Sequence, residues 1–135
     1  MAAWILKTEP TEYSFANLEK DGKTVWSGIS NATALIHLRR IAKGDSLVIY
    51  HTGGERRAVG LARAASGPYA DPALADPKRV VIDIVPGKAL KQTVTLEQFK
   101  ADALLAKSDL VRIGRLSVVP LSDEQLARVL KLAGS

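Results

Sequence analysis

The feature that most constrains this chain is how often its apolar runs are interrupted. Ala3 to Thr8 reads as a strand, with Trp4 and Leu6 on one face and Ile5 and Lys7 on the other, and Pro10 ends it. Asp21-Gly22 turns into Thr24–Trp26, and Ser46–Tyr50 and Ala58–Ala65 flank Gly53-Gly54-Glu55 as an antiparallel pair. Arg79–Val85 and Ala89–Val94 read as a second pair turned at Pro86-Gly87, with Leu116–Val119 as the final strand. Helices fall between them. Ser14 caps one, with Tyr13 and Leu18 as its staple pair; Asn31 to Lys43 places Leu35, Leu38 and Ala42 on one face, gathers Arg39, Arg40 and Lys43 at its C-terminal end and stops at Gly44. Thr95 with Gln98, stapled by Val94 and Phe99, and Ser122 with Gln125, stapled by Leu121 and Leu126, are capping boxes that start two more. Short, mostly antiparallel strands with helices between them argue against a doubly wound sheet. They predict an α+β fold in which a small, partly open barrel carries helices at its edges.

Length and composition narrow the function. At 135 residues the chain is long enough for one core, and residues 1–135 read as a single domain without repeats or linkers. There is no cysteine, which removes disulfides, thiol catalysis and Cys-based zinc sites. The opening residues meet charge too early for a signal peptide and no run reaches membrane-spanning length, so the expected location is cytoplasmic, with no membrane partner. Two histidines, His37 and His51, do not stand at metal-ligand spacing, and the glycine patterns that cradle nucleotide phosphates are absent. A triad of Ser27, His51 and Asp45 has no support from spacing, so no catalytic residue, metal or cofactor is expected. Net charge is +5 with a pI near 9.6, which leans toward an anionic partner such as nucleic acid. The local basic points include Arg56-Arg57 and Arg115. Between Ser66 and Pro77 lies a Pro-, Ala- and Asp-rich loop with one aromatic, Tyr69, readable as functional or as disordered.

Val25-Trp26-Ser27-Gly28-Ile29-Ser30-Asn31 sets a wide aromatic face beside backbone that no large side chain covers, at the mouth of a helix. A flat, hydrogen-bonding ligand such as a nucleobase needs that combination, although a tryptophan of this kind also serves as plain core. Lys7 and Glu9 flank Thr8 at the end of a strand, where they are either an exposed ion pair or polar groups beside the indole. His51-Thr52 leaves another strand at its C-terminal end.

In order along the chain, W-I-L-K-T-E-P (Trp4 to Pro10), Y-S-F-A-N-L (Tyr13 to Leu18), W-S-G-I-S-N (Trp26 to Asn31) and L-R-R-I-A-K-G-D (Leu38 to Asp45) are followed by I-Y-H-T (Ile49 to Thr52), V-G-L-A (Val59 to Ala62), P-Y-A-D (Pro68 to Asp71) and R-L-S-V-V-P-L (Arg115 to Leu121). Together they resemble the EVE domain family, a branch of the PUA-like superfamily related to the YTH domains. The resemblance implies a PUA-like pseudo-barrel whose pocket receives a modified base, a modified cytosine in DNA being favoured over RNA. It implies Trp26 as the stacking floor, Lys7, Thr8, Glu9, Ser27, Gly28 and Asn31 as readers of the base edge, and Tyr13, Tyr69, His51 and Thr52 as walls. Arg115, Arg56 and Arg57 are then the candidates for the nucleic-acid backbone. Members commonly carry W-x-G-V-R-N, so Ser30 stands where an arginine is usual, and Ser27 where an aspartate is. An RNA reader and a small-molecule or protein-binding module using the same pocket are the alternatives. No pattern in the residues names a nuclease or a methylation partner.

Overall fold

A computed structural model of the chain describes residues 2–134. Strands β1 (Ala3–Thr8), β2 (Thr24–Trp26), β3 (Ser46–His51), β4 (Arg57–Ala64), β5 (Tyr69–Ala70), β6 (Val80–Thr95) and β7 (Val118–Leu121) join in the order β2-β6-β4-β3-β1-β7, with β5 beside β6. Among the described residues only β1 and β3 run parallel; the other pairs are antiparallel. These two strands are also the most enclosed, buried continuously over Ala3–Leu6 and Leu47–His51. That accounts for their unbroken apolar sequence, since a strand covered on both faces loses the alternation of a half-exposed one. The expected α+β half-barrel is what forms. Among the described residues no helix is long and apolar enough to cross a membrane.

The second strand pair is corrected. Arg79–Val85 and Ala89–Val94 are not turned at Pro86-Gly87; all but Arg79 lie in the one strand β6, which pairs along β4 from Ala64↔Ile84 to Arg57↔Thr95. Pro86 sits opposite Ala62 and Gly87 against the Leu61 carbonyl, beside the register shifts that flank Gly60. A proline and a glycine together resemble a turn, but they serve equally at a bulge, where the strand bends and a ladder N–H is not needed. The bend lets the far half of β6 follow the curl of the sheet while its first half also carries β2.

Helices α1 (Phe15–Asp21), α2 (Ala32–Arg40), α3 (Leu96–Ala101), α4 (Asp109–Arg112) and α5 (Asp123–Leu132) fill the gaps, with a 3₁₀ turn at Leu105–Lys107. The Thr95/Gln98 and Ser122/Gln125 capping boxes are formed, and Ser14 makes a third with Asn17. Helix α2 ends earlier than its sequence suggests, because Ile41 turns to an extended conformation and buries its side chain. The Asp45 carboxylate then gathers the next turn: Oδ2 accepts from the backbone N–H of Ala42 at 2.9 Å and from the Trp4 indole N–H at 3.0 Å. The final strand lies two residues later than read, at Val118–Leu121. The 66–77 segment is ordered in part by the short β5, whose Tyr69 and Ala70 pair with Val81 and Val80.

Candidate functional site

Strand β1 delivers Lys7, Thr8 and then Glu9 to one end of the sheet, where Pro10 occupies a turn closed by the Glu12 and Tyr13 amides on the Glu9 carbonyl. Strand β2 ends at Trp26, and the segment from Ser27 to Asn31 crosses in front of it before α2 begins. These elements enclose a cleft of about 360 Å³ lined by Lys7, Thr8, Glu9, Trp26, Ser27, Gly28 and Asn31. A second hollow of about 250 Å³, which shares Thr8, Glu12, Trp26 and Ser27 with it, lies on the side of Tyr13. Seven of the eleven base-binding residues expected from sequence therefore line the cleft, and an eighth, Tyr13, lines the adjoining hollow.

Each group has a defined setting. Trp26 is only 7% exposed: it is a core residue that also borders the cleft, so the two sequence readings of it are compatible. Tyr13 meets it edge to face, with ring centroids 6.2 Å apart, and the Tyr13 hydroxyl donates to Asp21 at 2.8 Å. The Thr8 hydroxyl donates to the Tyr13 carbonyl at 2.7 Å, fixing the wall on which both sit. Lys7 donates through Nζ to the Gly114 carbonyl at 3.0 Å and lies 5.9 Å from the centre of the Tyr50 ring; burial holds its pKa below the usual lysine range. Glu9 is held from behind. Its carboxylate accepts from Thr11 and, at the limit of hydrogen bonding, from Thr52, and it rests on Gly53, where a Cβ would stand 2.5 Å from Oε2. Gly53 has φ +71°, so its backbone calls for glycine, whereas the carboxylate tip of Glu9 could swing away from an added Cβ. Asn31 caps α2 by accepting the Ala34 N–H through Oδ1, which leaves its amide NH₂ without a hydrogen-bond partner in the described chain.

Other expected residues stand elsewhere. His51 is not among the lining residues: its Nε2 accepts the Phe15 N–H at 3.0 Å, so Nδ1 carries the proton and donates to Glu55 at 2.9 Å. That bond is the main cause of the lowered Glu55 pKa. His51 thus anchors the first turn of α1, immediately after the Tyr13 wall. Thr52 acts through Glu9. Tyr69 is exposed on β5 and donates to Asp83 at 2.6 Å, outside the lining of the cleft. Arg57 pairs with Glu55 at 3.2 Å, whereas Arg56, at φ +47° in the β3–β4 hairpin, is near enough for its charge to act on the Tyr50 phenol. That phenol is pushed up to about 12, mainly by burial. Because β1 and β3 are parallel and β7 antiparallel to β1, the residues after β3 and before β7 reach the same end of the sheet as Lys7. Lys7, Arg56 and Arg115 are therefore on the cleft side of the molecule, with Arg115 adjoining the Gly114 that Lys7 holds.

Glu12 and Arg79 are among the residues that the sequence did not mark. Glu12 borders both the cleft and the adjoining hollow, yet an exposed glutamate in a turn carries no distinguishing signal. Arg79 donates through Nε to the Ile29 carbonyl at 2.9 Å, across fifty positions of sequence. Among the described residues it supplies the one hydrogen bond that ties residues 27–30 to the rest of the chain. Gly28 has φ +82°, so this segment depends on a glycine inside it and an arginine outside it. Arg79→Ala is expected to speed amide exchange over Ser27–Asn31 by about tenfold or more, with β1 unaffected, because a charged donor to a partly buried carbonyl contributes roughly 1.5–3 kcal/mol. Unchanged exchange would show that the segment holds its shape without Arg79.

The curled, mostly antiparallel sheet with helices at its edges is a PUA-like fold. The chain belongs to the EVE domain family, whose model matches residues 2–132. A protein of Rhodopseudomonas palustris solved by NMR is 34% identical, with a TM-score of 0.94 over 99% of this chain and 94% of its own. Chicken thymocyte nuclear protein 1 is 26% identical over 163 residues, covering 96% of this chain and 67% of the relative. Human THYN1, crystallised in complex with DNA containing 5-methylcytosine, shares the fold at 23% identity, with a TM-score of 0.91 over 100% of this chain and 99% of its own.

Proposed function

We propose that this chain, as a single domain of residues 1–135, binds nucleic acid by accepting a modified base, a modified cytosine in DNA, in the cleft beside Trp26, and that it holds the base without chemical change. The observation that carries this reading is the convergence of Lys7–Glu9, Trp26–Gly28 and Asn31 on one cleft. The human family member's complex with methylcytosine DNA supports the choice of ligand. Pulling a base from the stack costs a few kcal/mol, and stacking against an aromatic returns about 1–3 kcal/mol. The cleft supplies the rest through base-edge contacts. Glu9 and Glu12 are acceptors suited to the exocyclic amine of cytosine, while the Ser27 hydroxyl and the Asn31 NH₂ can meet the acceptors of the base. Ile29, half-buried on the same wall, offers an apolar contact for a methyl group. Lys7, Arg56 and Arg115 would meet the flanking phosphates, with Arg57 contributing less because Glu55 already engages it. His51 contributes as the anchor of α1, and Tyr69 lies outside the base contact.

Titrating matched DNA and RNA oligonucleotides carrying cytosine, 5-methylcytosine, adenine or N6-methyladenine at fixed low salt, with tryptophan fluorescence as the readout, tests this. The expected result is tightest binding to DNA with 5-methylcytosine, with a difference from cytosine that persists as salt rises while overall affinity falls. Preference for the RNA series would reassign the polymer. Equal affinity for every oligonucleotide would leave a basic surface without a base pocket.

A further inference from the structure

A separate cavity of about 400 Å³ opens at the opposite end of the central strands. In the parallel β1–β3 pair Ser46 lies opposite Ala3, whereas Tyr50 lies opposite Lys7. Ser46 borders this cavity and Lys7 the cleft, so roughly 13 Å of strand separates the two, and they share no lining residue. The hollow has a local cause. Where β3, β4 and β6 meet under α5, the floor positions are the small residues Ser46, Ala62 and Gly87. Gly87 cannot be enlarged freely, because a Cβ there would stand 3.0 Å from the Leu61 carbonyl oxygen. Helix α5 extends Leu126 and Leu130 over this floor without filling it, and both leucines, with Leu61 and Val85, remain half-exposed around the opening.

The rim has the opposite chemistry. Arg63 and Lys88 are exposed beside this apolar space, and among the described residues neither has a carboxylate within 4.0 Å or a side-chain hydrogen bond. Arg57 and Arg128, by contrast, are paired with Glu55 and Asp102. An apolar hollow of this volume falls within the roughly 300–1,000 Å³ range of small-molecule sites, and two free cations at its mouth select the charge of what enters. A phosphodiester chain would meet the cations but leave the leucine walls wet. We infer that this cavity binds a small amphipathic carboxylate, its apolar body lodged between α5 and the β4–β6 pair and its head group between Arg63 and Lys88. A guanidinium is the donor best matched to a carboxylate, through two parallel N–H···O bonds. The site is independent of the base cleft, and its test is too.

Decanoate titrated into the full chain, followed by calorimetry and by methyl NMR, is the direct experiment, with decan-1-ol as the uncharged comparison and Arg63→Glu/Lys88→Glu as the variant. Both substitutions are at exposed positions, and an unchanged melting temperature would verify the fold. The expected result is saturable one-to-one binding that shifts the Leu61, Leu126 and Leu130 methyls and leaves the Trp26 indole signal in place. Charge reversal should weaken decanoate by about tenfold, roughly 1.4 kcal/mol, and leave decan-1-ol unchanged. Three results overturn the inference: non-saturable shifts, equal affinity for the alcohol with charge reversal silent, or movement of the Leu126 and Leu130 methyls with protein concentration alone. The last would assign the cavity to a second copy of the chain.

Discussion

Asp45→Ala is expected to destabilise the domain by about 3 kcal/mol, which for a chain of this length lowers the melting temperature by roughly 10 °C. Asp45 is a buried carboxylate that accepts three donors from two parts of the chain: the Trp4 indole at 3.0 Å, the Ala42 amide at 2.9 Å and, through its other oxygen, the Ala2 amide at 3.3 Å. Alanine leaves the indole N–H, on a side chain only 6% exposed, without an acceptor, and a buried orphaned donor costs about 1–3 kcal/mol by itself. The loss also frees the turn that redirects the chain from α2 into β3. Asp45→Asn is the informative control. One amide oxygen can still serve Trp4 and Ala42, while its NH₂ faces the Ala2 amide at the longer and less buried contact, so about 1 kcal/mol should be lost. Thermal unfolding of the three proteins decides it. An alanine variant melting within a couple of degrees of the parent would mean that Asp45 stabilises nothing beyond its own desolvation.

Asp45 also illustrates what the sequence could reveal. It was legible as the residue after the Gly44 that stops a helix and as a member of an improbable triad, and neither reading predicts that it collects an indole more than forty positions away. Local chemistry was readable throughout. Capping boxes at Thr95 and Ser122 are formed because their partners lie within four residues, and β1 was correct to the residue because Pro10 ends it. Pro86-Gly87 was misread for the complementary reason: turn and bulge use the same residues, and only the pairing of Pro86 with Ala62 separates them. Helix α4 and the 3₁₀ turn before it were unread, since segments this short lack a full amphipathic period. The cleft divides in the same way. Trp26, Ser27 and Gly28 could be recognised because an aromatic beside small residues is unusual, and Lys7 to Glu9 because they end a strand. Arg79 could not, because its part in the site is a single long-range hydrogen bond to a backbone carbonyl, for which no residue type is diagnostic. His51 was assigned to the wall of the pocket from its place at a strand end, but the strand end also meets α1, and the imidazole is engaged by that helix on one side and by Glu55 on the other.

Trp26→Ala is expected to abolish discrimination among bases while retaining salt-dependent attraction to any oligonucleotide. The cleft side of the indole is where the proposed base would rest, and losing about 1–3 kcal/mol of stacking weakens the preferred ligand roughly 5- to 150-fold. The phosphate contacts of Lys7, Arg56 and Arg115 do not pass through the ring, so binding to unmodified DNA should change far less. Burial complicates the experiment in a definable way. Trp26 belongs to the core, and truncating a buried tryptophan costs about 3–5 kcal/mol of stability, enough to unfold a marginal domain. Trp26→Phe separates the two effects: it keeps an aromatic face and most of the packing against Tyr13, so it should stay folded and keep the order of base preference with reduced affinity. The decisive comparison is the ratio of affinities for 5-methylcytosine and cytosine DNA in each folded variant. A ratio that survives in Trp26→Ala while the fold is intact would move base recognition away from the indole and onto the Glu9, Glu12 and Asn31 edge of the cleft. A ratio lost in the alanine variant and kept in the phenylalanine variant would establish that the aromatic face, rather than the basic surface around it, selects the ligand.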